Sequence, residues 1–347
     1  MPALWREIHE QPAAAERTLK ALEAEAPERL AILRRWSVLR GAQSLLVGSG
    51  SSRHAAEVAA GWLRQAGRSA LVSGTGGIRG RLRERVRGGV LVAVTQSGET
   101  GGVLRLLGRA REEGIPRIVL TNEARSPAVR RANLLYATRA GTERAIPATK
   151  SFTTALLALR VFANEWACRE EPDDLDAVPD LLREALGHAP RIERFVSGLA
   201  ADRTWFFLGC GPLLPLAAEG ALKMMETAVV PAIALRTEEL MHGPFALVDR
   251  ETPVVLLSEP GGVSPGEARA LGALAEAGAP LLRLATADFP KAAAHPEAGC
   301  AIVSAGAPRL RPFEAAPVLQ LLAFFAGRQL GRDVDAPAGL QKAVRDD

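Results

Sequence analysis

Short apolar runs recur along the chain and predict buried β-strands. Each run holds four to six apolar residues, is bounded by glycine, proline or polar residues, and is separated from the next by a helical pattern. Continuous runs of this kind are typical of parallel strands that are covered on both faces of a sheet. They predict four strands in each half of the chain, within residues 43–48, 90–94, 114–120 and 134–138, and within residues 204–209, 253–257, 278–284 and 300–304.

The two halves form an internal repeat with a period of roughly 160 residues. In each half an apolar run ends in Gly-x-Gly, at Gly48–Gly50 and at Gly209–Gly211, and a helical stretch follows. The remaining runs come in the same order in both halves. We therefore expect an α/β protein with two tandem three-layer α-β-α domains, each built on a mostly parallel sheet.

Helical periodicity fills the segments between the predicted strands. Val103, Leu106 and Leu107, for example, share one face of a predicted helix that Gly114 ends. The pattern predicts an N-terminal helical arm over residues 1–38, a first domain over 39–190, a second domain over 191–330 and an irregular C-terminal tail over 331–347.

Composition and charge exclude several classes of protein. The 347 residues are 48% hydrophobic and 24% charged, which is typical of a globular protein and argues against disorder. A net charge of +4 is too small to indicate a nucleic-acid surface by itself. The sequence has no apolar stretch of the ~20 residues that a transmembrane helix needs, and its start lacks the pattern of a signal peptide. We therefore expect a cytoplasmic protein that binds neither nucleic acid nor membrane.

Lysine is rare in this chain. The 43 basic residues include only five lysines, and the three cysteines are too far apart to indicate a disulfide framework or a metal pair. Arginine stays protonated in proteins, whereas lysine can lose its proton and act as a base or nucleophile. Lys150, Lys223 and Lys342 are therefore candidates for a chemical role.

Hydroxyl-rich turns follow two of the predicted strands. Thr95–Thr100, with the sequence TQSGET, follows the strand at 90–94 and opens a helix, while Ser51 and Ser52 follow the strand at 43–48. Ligands of open α/β sheets bind where strands end and helices begin. Hydroxyls together with the backbone N–H groups of a first helical turn can hold a phosphate without a cation. Either turn alone would be typical of a helix N-cap, but the two together favour a phosphate site.

The Gly48–Gly50 turn does not match a dinucleotide-binding site. The third glycine of that motif would fall near position 53, where the chain has Arg53, and no acidic residue occurs at 70–73. The phosphate-binding motif GxxxxGK[ST] is also absent from the sequence. We therefore expect no nucleotide cofactor, and since no Cys/His/Asp cluster has metal-ligand spacing, we expect no metal.

A second set of candidate residues lies in the second half of the repeat. Glu219, Lys223 and Glu226 are spaced by four and by three residues, so they share one stripe of a helix. A surface ladder of ion pairs would have the same spacing. Leu216 and Met225 nevertheless indicate a helix that is apolar around much of its circumference, which argues against a ladder on the surface.

These motifs, in this order, resemble the sugar isomerase (SIS) double-domain family. The family includes the isomerase half of glucosamine-6-phosphate synthases and stand-alone deaminases built from the same double domain. The resemblance covers nearly the whole chain, through EIHEQP at 7–12, GSS at 50–52, QSGET at 96–100, AGTE at 140–143, TKSFT at 149–153, EGALK at 219–223, ELMHGP at 239–244 and DVDAP at 333–337.

The resemblance implies a role for each candidate residue. It makes Glu226 the glutamate that transfers a proton, with Lys223 beside it, and His242, contributed by the neighbouring subunit, the ring-opening histidine. It makes Lys342 a tail lysine that can reach the sugar carbonyl. It thereby implies a homodimer with shared active sites. It also implies that the sugar phosphate contacts Ser51, Ser52, Thr95, Gln96, Ser97, Thr100, Ile146 and Gln341.

The expected reaction is the release of ammonia from an amino-sugar phosphate. Glutamine-dependent members of the family carry an N-terminal domain with a cysteine nucleophile, whereas here Met1 leads directly into the predicted arm and the first cysteine is Cys168. We therefore expect glucosamine 6-phosphate and water to give fructose 6-phosphate and ammonia.

Several alternatives stay open at this point. Thr95, Ala148 and Glu238 differ from the residues that are common in the family, which leaves the sugar undecided. The substrate could be another amine, such as galactosamine 6-phosphate or a glycated amino-acid phosphate, or the chain could synthesise glucosamine 6-phosphate from free ammonia. A protein of another class, a sensor that binds a sugar phosphate without turnover, is the remaining alternative.

Overall fold

The structure, a computed structural model, describes residues 1–36, 42–168, 174–258, 263–286, 299–304 and 306–342. The predicted boundary between arm and first domain at 38/39 and the last five residues of the predicted tail lie outside these ranges. Spatial contacts divide the chain into two units. The first-sheet unit comprises Glu10–Glu143, Lys150–Pro179 and Gln341–Asp347, and the second-sheet unit comprises Met1–His9, Arg144–Thr149 and Asp180–Leu340. The linear domain boundaries given above stay predictions.

The strands of the described residues are, in chain order, β1 (Ser44–Gly48), β2 (Ala70–Gly74), β3 (Val90–Val94), β4 (Arg117–Thr121), β5 (Leu134–Ala137), β6 (Trp205–Gly209), β7 (Ala232–Arg236), β8 (Val254–Leu257), β9 (Leu281–Thr286) and β10 (Gly299–Ser304).

The helices are α1 (Ala3–His9), α2 (Gln11–Ala24), α3 (Ala26–Trp36), α4 (Ser51–Gln65), α5 (Leu82–Val86), α6 (Gly101–Glu112), α7 (Lys150–Ala167), α8 (Val178–Gly187), α9 (Ala189–Ser197), α10 (Leu214–Thr227), α11 (Pro265–Ala277) and α12 (Arg311–Gln329).

The first-sheet unit is built on a parallel sheet with strand order β2-β1-β3-β4-β5. Because side chains alternate along a strand, one set of residues points to each face. Leu45, Leu91 and Val119 form a core with residues of α5 and α6 on one face. Helices α4 and α7 pack on the other face and against each other. The unit therefore has three layers.

The second-sheet unit repeats this topology. Its sheet has the order β10-β9-β8-β6-β7, which, read from the other edge, is the same pattern, and all of its strand pairs are parallel. Leu271 and Leu274 of α11 join the core on one face. On the other face α10 packs closely, since a Cβ at Gly220 would lie 2.7 Å from both Phe207 and Leu319. Glycine inside this helix lets it approach the sheet and α12.

The prediction of two α/β domains with three layers and parallel sheets is confirmed. Each of the eight predicted strands is present, but the pattern missed β2 and β7. Both missed strands are edge strands, and most of their residues are partly exposed. An edge strand pairs on one side only and is less covered. In β2 the apolar run is only three residues long, whereas β7 has a run of four, Ala232–Leu235, that the pattern overlooked.

The helical predictions for residues 103–110 and for the N-terminal arm, as far as the structure describes it, are also confirmed. Helix α6 ends at Glu112, and Gly114 follows with a φ of +67°, a left-handed conformation that favours glycine at a helix end. The first 36 residues are helical through α1, α2 and α3. Among the helices of the described residues, none combines the length and the apolar composition that crossing a bilayer requires.

Candidate active site

The predicted phosphate residues lie at the carboxyl ends of β1 and β3. These two strands are neighbours in the first sheet, and the chain runs from them toward opposite edges. In doubly wound sheets the crevice at such a reversal of strand order is the usual ligand site. Ser51 and Ser52 begin α4 directly after β1, and Thr95–Thr100 connects β3 to α6. The structure thus brings both hydroxyl-rich turns to one crevice.

The turn after β3 is held by its own hydroxyl groups. The Thr95 hydroxyl accepts a hydrogen bond from the backbone N–H of Gly98 at 3.2 Å, and it lies 3.4 Å from the Thr100 hydroxyl. The Ser97 hydroxyl accepts from the backbone N–H of Glu99 at 3.2 Å. Gly98 has a φ of +66°, and a Cβ there would lie 2.0 Å from the hydroxyl oxygen of Ser126. Only glycine fits this position, so the turn has one defined shape.

The turn after β1 is equally tight. A Cβ at Gly48 would lie 2.8 Å from the carbonyl carbon of Ser52, and Gly50 has a φ of +52°. These glycines let the start of α4 approach the strand end closely.

We use the name phosphate cradle for six residues of these two turns. Thr95 is buried, and the other five are partly exposed, so their polar groups are within reach of a ligand. The first N–H groups of α4 and α6 have no acceptor inside their helices. Hydroxyls and helix N-termini together are suited to a phosphate dianion. The members of the phosphate cradle are Ser51, Ser52, Thr95, Gln96, Ser97 and Thr100.

The predicted acid–base residues meet on α10 in the second-sheet unit. The Lys223 ammonium donates a hydrogen bond to the Glu226 carboxylate and lies 3.5 Å from Oε1 of Glu219. The side chains of Glu219 and Lys223 are each 2% exposed, whereas that of Glu226 is 22% exposed. The stripe is therefore a buried ion cluster with one carboxylate that reaches solvent. The alternative of a surface ladder is wrong for Glu219 and Lys223.

Glu226 lies in the last turn of α10, and Ala232 begins β7 a few residues later. This end of α10 is near the amino ends of the strands, away from the crevice of its own sheet. Met225, which the sequence pattern assigned to the apolar surface of the helix, is 44% exposed. Val229, just beyond the helix, has a φ of +57° and is 54% exposed. Helix α10 thus ends in a strained, partly apolar surface beside Glu226.

His242 lies on the surface of the second-sheet unit. It ends a short 3-10 helix, Thr237–His242, and Gly243 follows with a φ of +132°. His242 is exposed. The position is compatible with a side chain that leaves its own unit, as the resemblance implies.

Glu238, one of the residues that differ from the family pattern, is engaged within the same unit. Its carboxylate accepts a hydrogen bond from the Cys210 thiol at 3.1 Å and pairs with the Arg236 guanidinium at 2.6 Å. Its own backbone N–H, the Cys210 thiol and Arg236 lower the pKa of Glu238 to about 2. This carboxylate is thus a charged group that neighbouring side chains hold in place.

The tail lysine has a partner that sequence reasoning missed. The Lys342 ammonium lies 2.7 Å from Oε2 of Glu143, and both residues belong to the first-sheet unit. Glu143 occurs in one of the motifs of the resemblance, but nothing in its spacing indicated a contact with the tail. Gln341 is exposed beside Lys342 in the first-sheet unit. Ile146 belongs to the second-sheet unit, where its N–H donates to the carbonyl of Asp335 at 2.8 Å.

The structure therefore assembles the candidate residues in two sets. The first-sheet unit holds the phosphate cradle and Lys342, and the second-sheet unit holds Lys223, Glu226 and His242. Within the described ranges, no three His, Cys, Asp or Glu side chains are placed to share a metal ion.

Comparison with known proteins gives a consistent result. The model of the SIS domain family matches residues 41–165 and 198–318. The chain is 32% identical over 365 aligned positions to glutamine–fructose-6-phosphate aminotransferase [isomerizing] of Pseudomonas aeruginosa. That alignment includes 98% of this chain and 58% of the relative, so the chain spans little more than half the length of that protein.

Solved structures agree with the fold. The C-terminal domain of glucosamine-fructose-6-phosphate aminotransferase from Francisella tularensis superposes with a TM-score of 0.81 at 26% identity, over 97% of this chain and 98% of that one. The glucosamine-6-phosphate deaminase of Thermotoga maritima superposes with a TM-score of 0.77 at 20% identity, over 99% of each chain, which is evidence for a shared fold.

Proposed function

The chain belongs to the SIS domain family, as its motifs indicated, and from this premise we propose that it acts on an amino-sugar phosphate. The proposed reaction converts glucosamine 6-phosphate and water into fructose 6-phosphate and ammonia. It requires ring opening, transfer of a proton between C2 and C1, and hydrolysis of the resulting C2 imine.

The observation that carries the proposal is the Lys223–Glu226 pair on α10. A proton-transfer catalyst must be held in a defined orientation and must still reach the substrate. Glu226 accepts a hydrogen bond from the buried Lys223 ammonium and is itself partly exposed, which meets both needs. Glu226 takes the proton from C2 and delivers a proton to C1. Lys223 holds the carboxylate in one orientation, and Glu219 partly balances the charge of that lysine.

The phosphate cradle supplies the affinity and fixes one end of the substrate. A dianion gains most from hydroxyls and helix N-termini that are already in place, because no group must then be reorganised on binding. Gly98 and Gly50 hold both turns in such fixed conformations. The phosphate cradle contributes little binding free energy to a sugar without a phosphate group.

Two of the three cysteines bear on the proposed direction of the reaction. Release of ammonia from glutamine by a cysteine nucleophile needs a thiolate, which a lowered pKa favours. Burial raises the pKa of the Cys210 thiol, and it also raises that of Cys300. These thiols are therefore poorly suited to attack glutamine. We therefore propose release of ammonia as the direction of the reaction, and an assay in both directions tests it.

We further propose that two copies of the chain share their active sites. His242 opens the sugar ring and comes from the neighbouring subunit. Its exposure at the end of a short helix, before a glycine with positive φ, supports this role. Lys342 reaches the sugar carbonyl from the tail.

An ammonia-release assay tests the function directly. The panel contains glucosamine 6-phosphate, galactosamine 6-phosphate, a fructosamine 6-phosphate and unphosphorylated glucosamine. We expect ammonia and fructose 6-phosphate from the first compound, and turnover of the unphosphorylated sugar lower by at least two orders of magnitude, since two or more charge-assisted hydrogen bonds of roughly 1.5–3 kcal/mol each are missing. A reverse assay with fructose 6-phosphate and ammonium measures synthesis.

Other outcomes distinguish the alternatives. If ammonia is released only from galactosamine 6-phosphate or only from the fructosamine phosphate, that compound is the substrate and the proposed active site still holds. Tight binding of glucosamine 6-phosphate without product in either direction would contradict the enzymatic proposal and indicate a sensor.

A further inference from the structure

A buried carboxylate lies at the N-terminus of α7, where the tail lysine binds it. The side chain of Glu143 has no exposed surface, whereas that of Lys342 is 27% exposed. Oε1 of Glu143 accepts a hydrogen bond from the backbone N–H of Ser151 at 3.1 Å. Oε2 accepts from the Ser151 hydroxyl at 2.5 Å and from the Lys342 ammonium at 2.7 Å. The Glu143 carboxylate thus contacts both the N-terminus of α7 and Lys342, which lies 199 positions from Glu143 in the chain.

The charges around Glu143 make this contact an ion pair. Burial by itself would raise the pKa of Glu143, but the charge and hydrogen bond of Lys342 and the two hydrogen bonds from Ser151 outweigh it and lower that pKa. The N-terminus of the 18-residue helix α7 also favours a negative charge. Glu143 is therefore ionised at neutral pH.

Another lysine is held in the same neighbourhood in a different way. Lys150, the first residue of α7, pairs with Glu10, whose side chain is 52% exposed. A pair with one exposed partner is easily replaced by water, so it restrains the chain weakly. Glu143 differs because its side chain is fully buried, so leaving this carboxylate without its lysine partner is costly.

We propose that Glu143 is the positioning residue for Lys342, holding the ammonium group of the tail in one place in the resting protein. The consequence for catalysis rests on the proposed function, in which Lys342 acts at the sugar carbonyl. Glu143 acts through Lys342 and does not need to touch the substrate. Without the Glu143 carboxylate, which we call the anchor, Lys342 is still present but its ammonium group has no fixed position.

The anchor is tested first without any activity measurement. Trypsin cleaves the bond after Lys342 only when that side chain enters the protease pocket, so a held lysine is protected. We expect Glu143→Gln to accelerate this cleavage, followed by mass spectrometry, roughly tenfold, because the amide oxygen is a neutral acceptor and the ion pair with Lys342 is lost. Glu10→Gln is the matched control: it removes a carboxylate from Lys150 at the same helix end and leaves cleavage after Lys342 unchanged.

A second variant distinguishes loss of the contact with Lys342 from a folding defect. Glu143→Asp keeps the negative charge at the helix end, but its side chain is shorter by one methylene group. It therefore cannot accept hydrogen bonds from both Ser151 and Lys342 in the geometry of the wild type. We expect cleavage after Lys342 to be intermediate between wild type and Glu143→Gln. Cleavage at the wild-type rate in the folded variants would overturn the proposal.

A double-mutant cycle tests the consequence for turnover. Glu143→Gln should lower kcat about tenfold with KM changed less than about twofold, and it should have no further effect in a Lys342→Gln background. Equal losses in both backgrounds would show a structural role and refute positioning. If the panel of amino-sugar phosphates gives no turnover, the proposed function fails while the protease result still decides whether Glu143 anchors the tail.

Discussion

Lysine side chains of this protein are found in ion pairs at three places. Lys150, Lys223 and Lys342 each contact a carboxylate, and the side chain of Lys223 is the most buried of the three, at 2% exposed. Burying an ammonium group is costly unless a carboxylate compensates it closely. The rarity of lysine in an arginine-rich chain was the signal that singled these residues out. It identified the positions but not their partners.

At this scale the decisive prediction concerns Glu226. Glu226→Gln keeps the shape of the side chain and its hydrogen bond to Lys223 but cannot accept a proton. We expect kcat for ammonia release to fall by roughly 10²–10⁴-fold, as for loss of a general base. Binding of the sugar phosphate, measured by calorimetry, should stay within about threefold of wild type, because the phosphate cradle is untouched.

The control for this variant is Glu251→Gln in the same unit. Glu251 pairs with Arg203 at 3.9 Å and is 53% exposed. Exposed ion pairs of this kind contribute little to stability, so turnover should stay near the wild-type value. Wild-type turnover in Glu226→Gln would instead mean that the α10 cluster is only structural.

At the scale of elements, the position of the two turns matters more than any one hydroxyl. Strands β1 and β3 are adjacent in the sheet, although β2 lies between them in the chain. Their carboxyl ends therefore bring Ser51 and Thr95 to one crevice. Glycines that no side chain could replace keep both turns tight.

The phosphate cradle is tested by the double variant Ser97→Ala, Thr100→Ala. Each hydroxyl that no longer binds the dianion costs roughly 1.5–3 kcal/mol, so KM for glucosamine 6-phosphate should rise by at least tenfold per residue. The residual turnover of unphosphorylated glucosamine should hardly change. A parallel loss for both sugars would remove the phosphate assignment and leave the turns as helix caps.

At the scale of the whole molecule, the two halves of the repeat carry different candidate residues. Both halves have the same sheet topology, yet the candidate phosphate site lies in the crevice of the first sheet. In the second-sheet unit the candidate catalytic residues lie on α10 near the amino ends of the strands and at His242. In the proposed function, one topology thus supports two different tasks, binding and proton transfer.

Sharing of active sites gives a prediction for mixed dimers. Subunits with Glu226→Gln and subunits with His242→Ala should each be inactive. After reversible dissociation and random reassociation, about half of the dimers are mixed, and each mixed dimer has one intact site of two. Ammonia release should return to about a quarter of the wild-type rate.

Subunit exchange must be verified with a mass or fluorescence label. Exchange without recovery of activity would show that each subunit builds its site alone. The role of His242 from a neighbouring subunit would then be wrong, whereas Glu226 could keep its role.

The sequence by itself determined the elements that depend on local order. The buried strands, the repeat, the hydroxyl-rich turns and the stripe from Glu219 to Glu226 follow from spacing along the chain, because side chains recur every two residues in a strand and about every 3.6 in a helix. The family followed from the same motifs.

Tertiary structure alone decided which distant groups meet and how deeply they are buried. Edge strands β2 and β7 were not among the predicted strands, and pairing with β1 and β6 defines them. The burial of Lys223 follows from how α10 packs on its sheet and on α12. The Glu143–Lys342 pair joins residues 199 positions apart, and no periodicity spans such a distance. Such contacts depend on the packing of the whole unit, which local spacing does not encode.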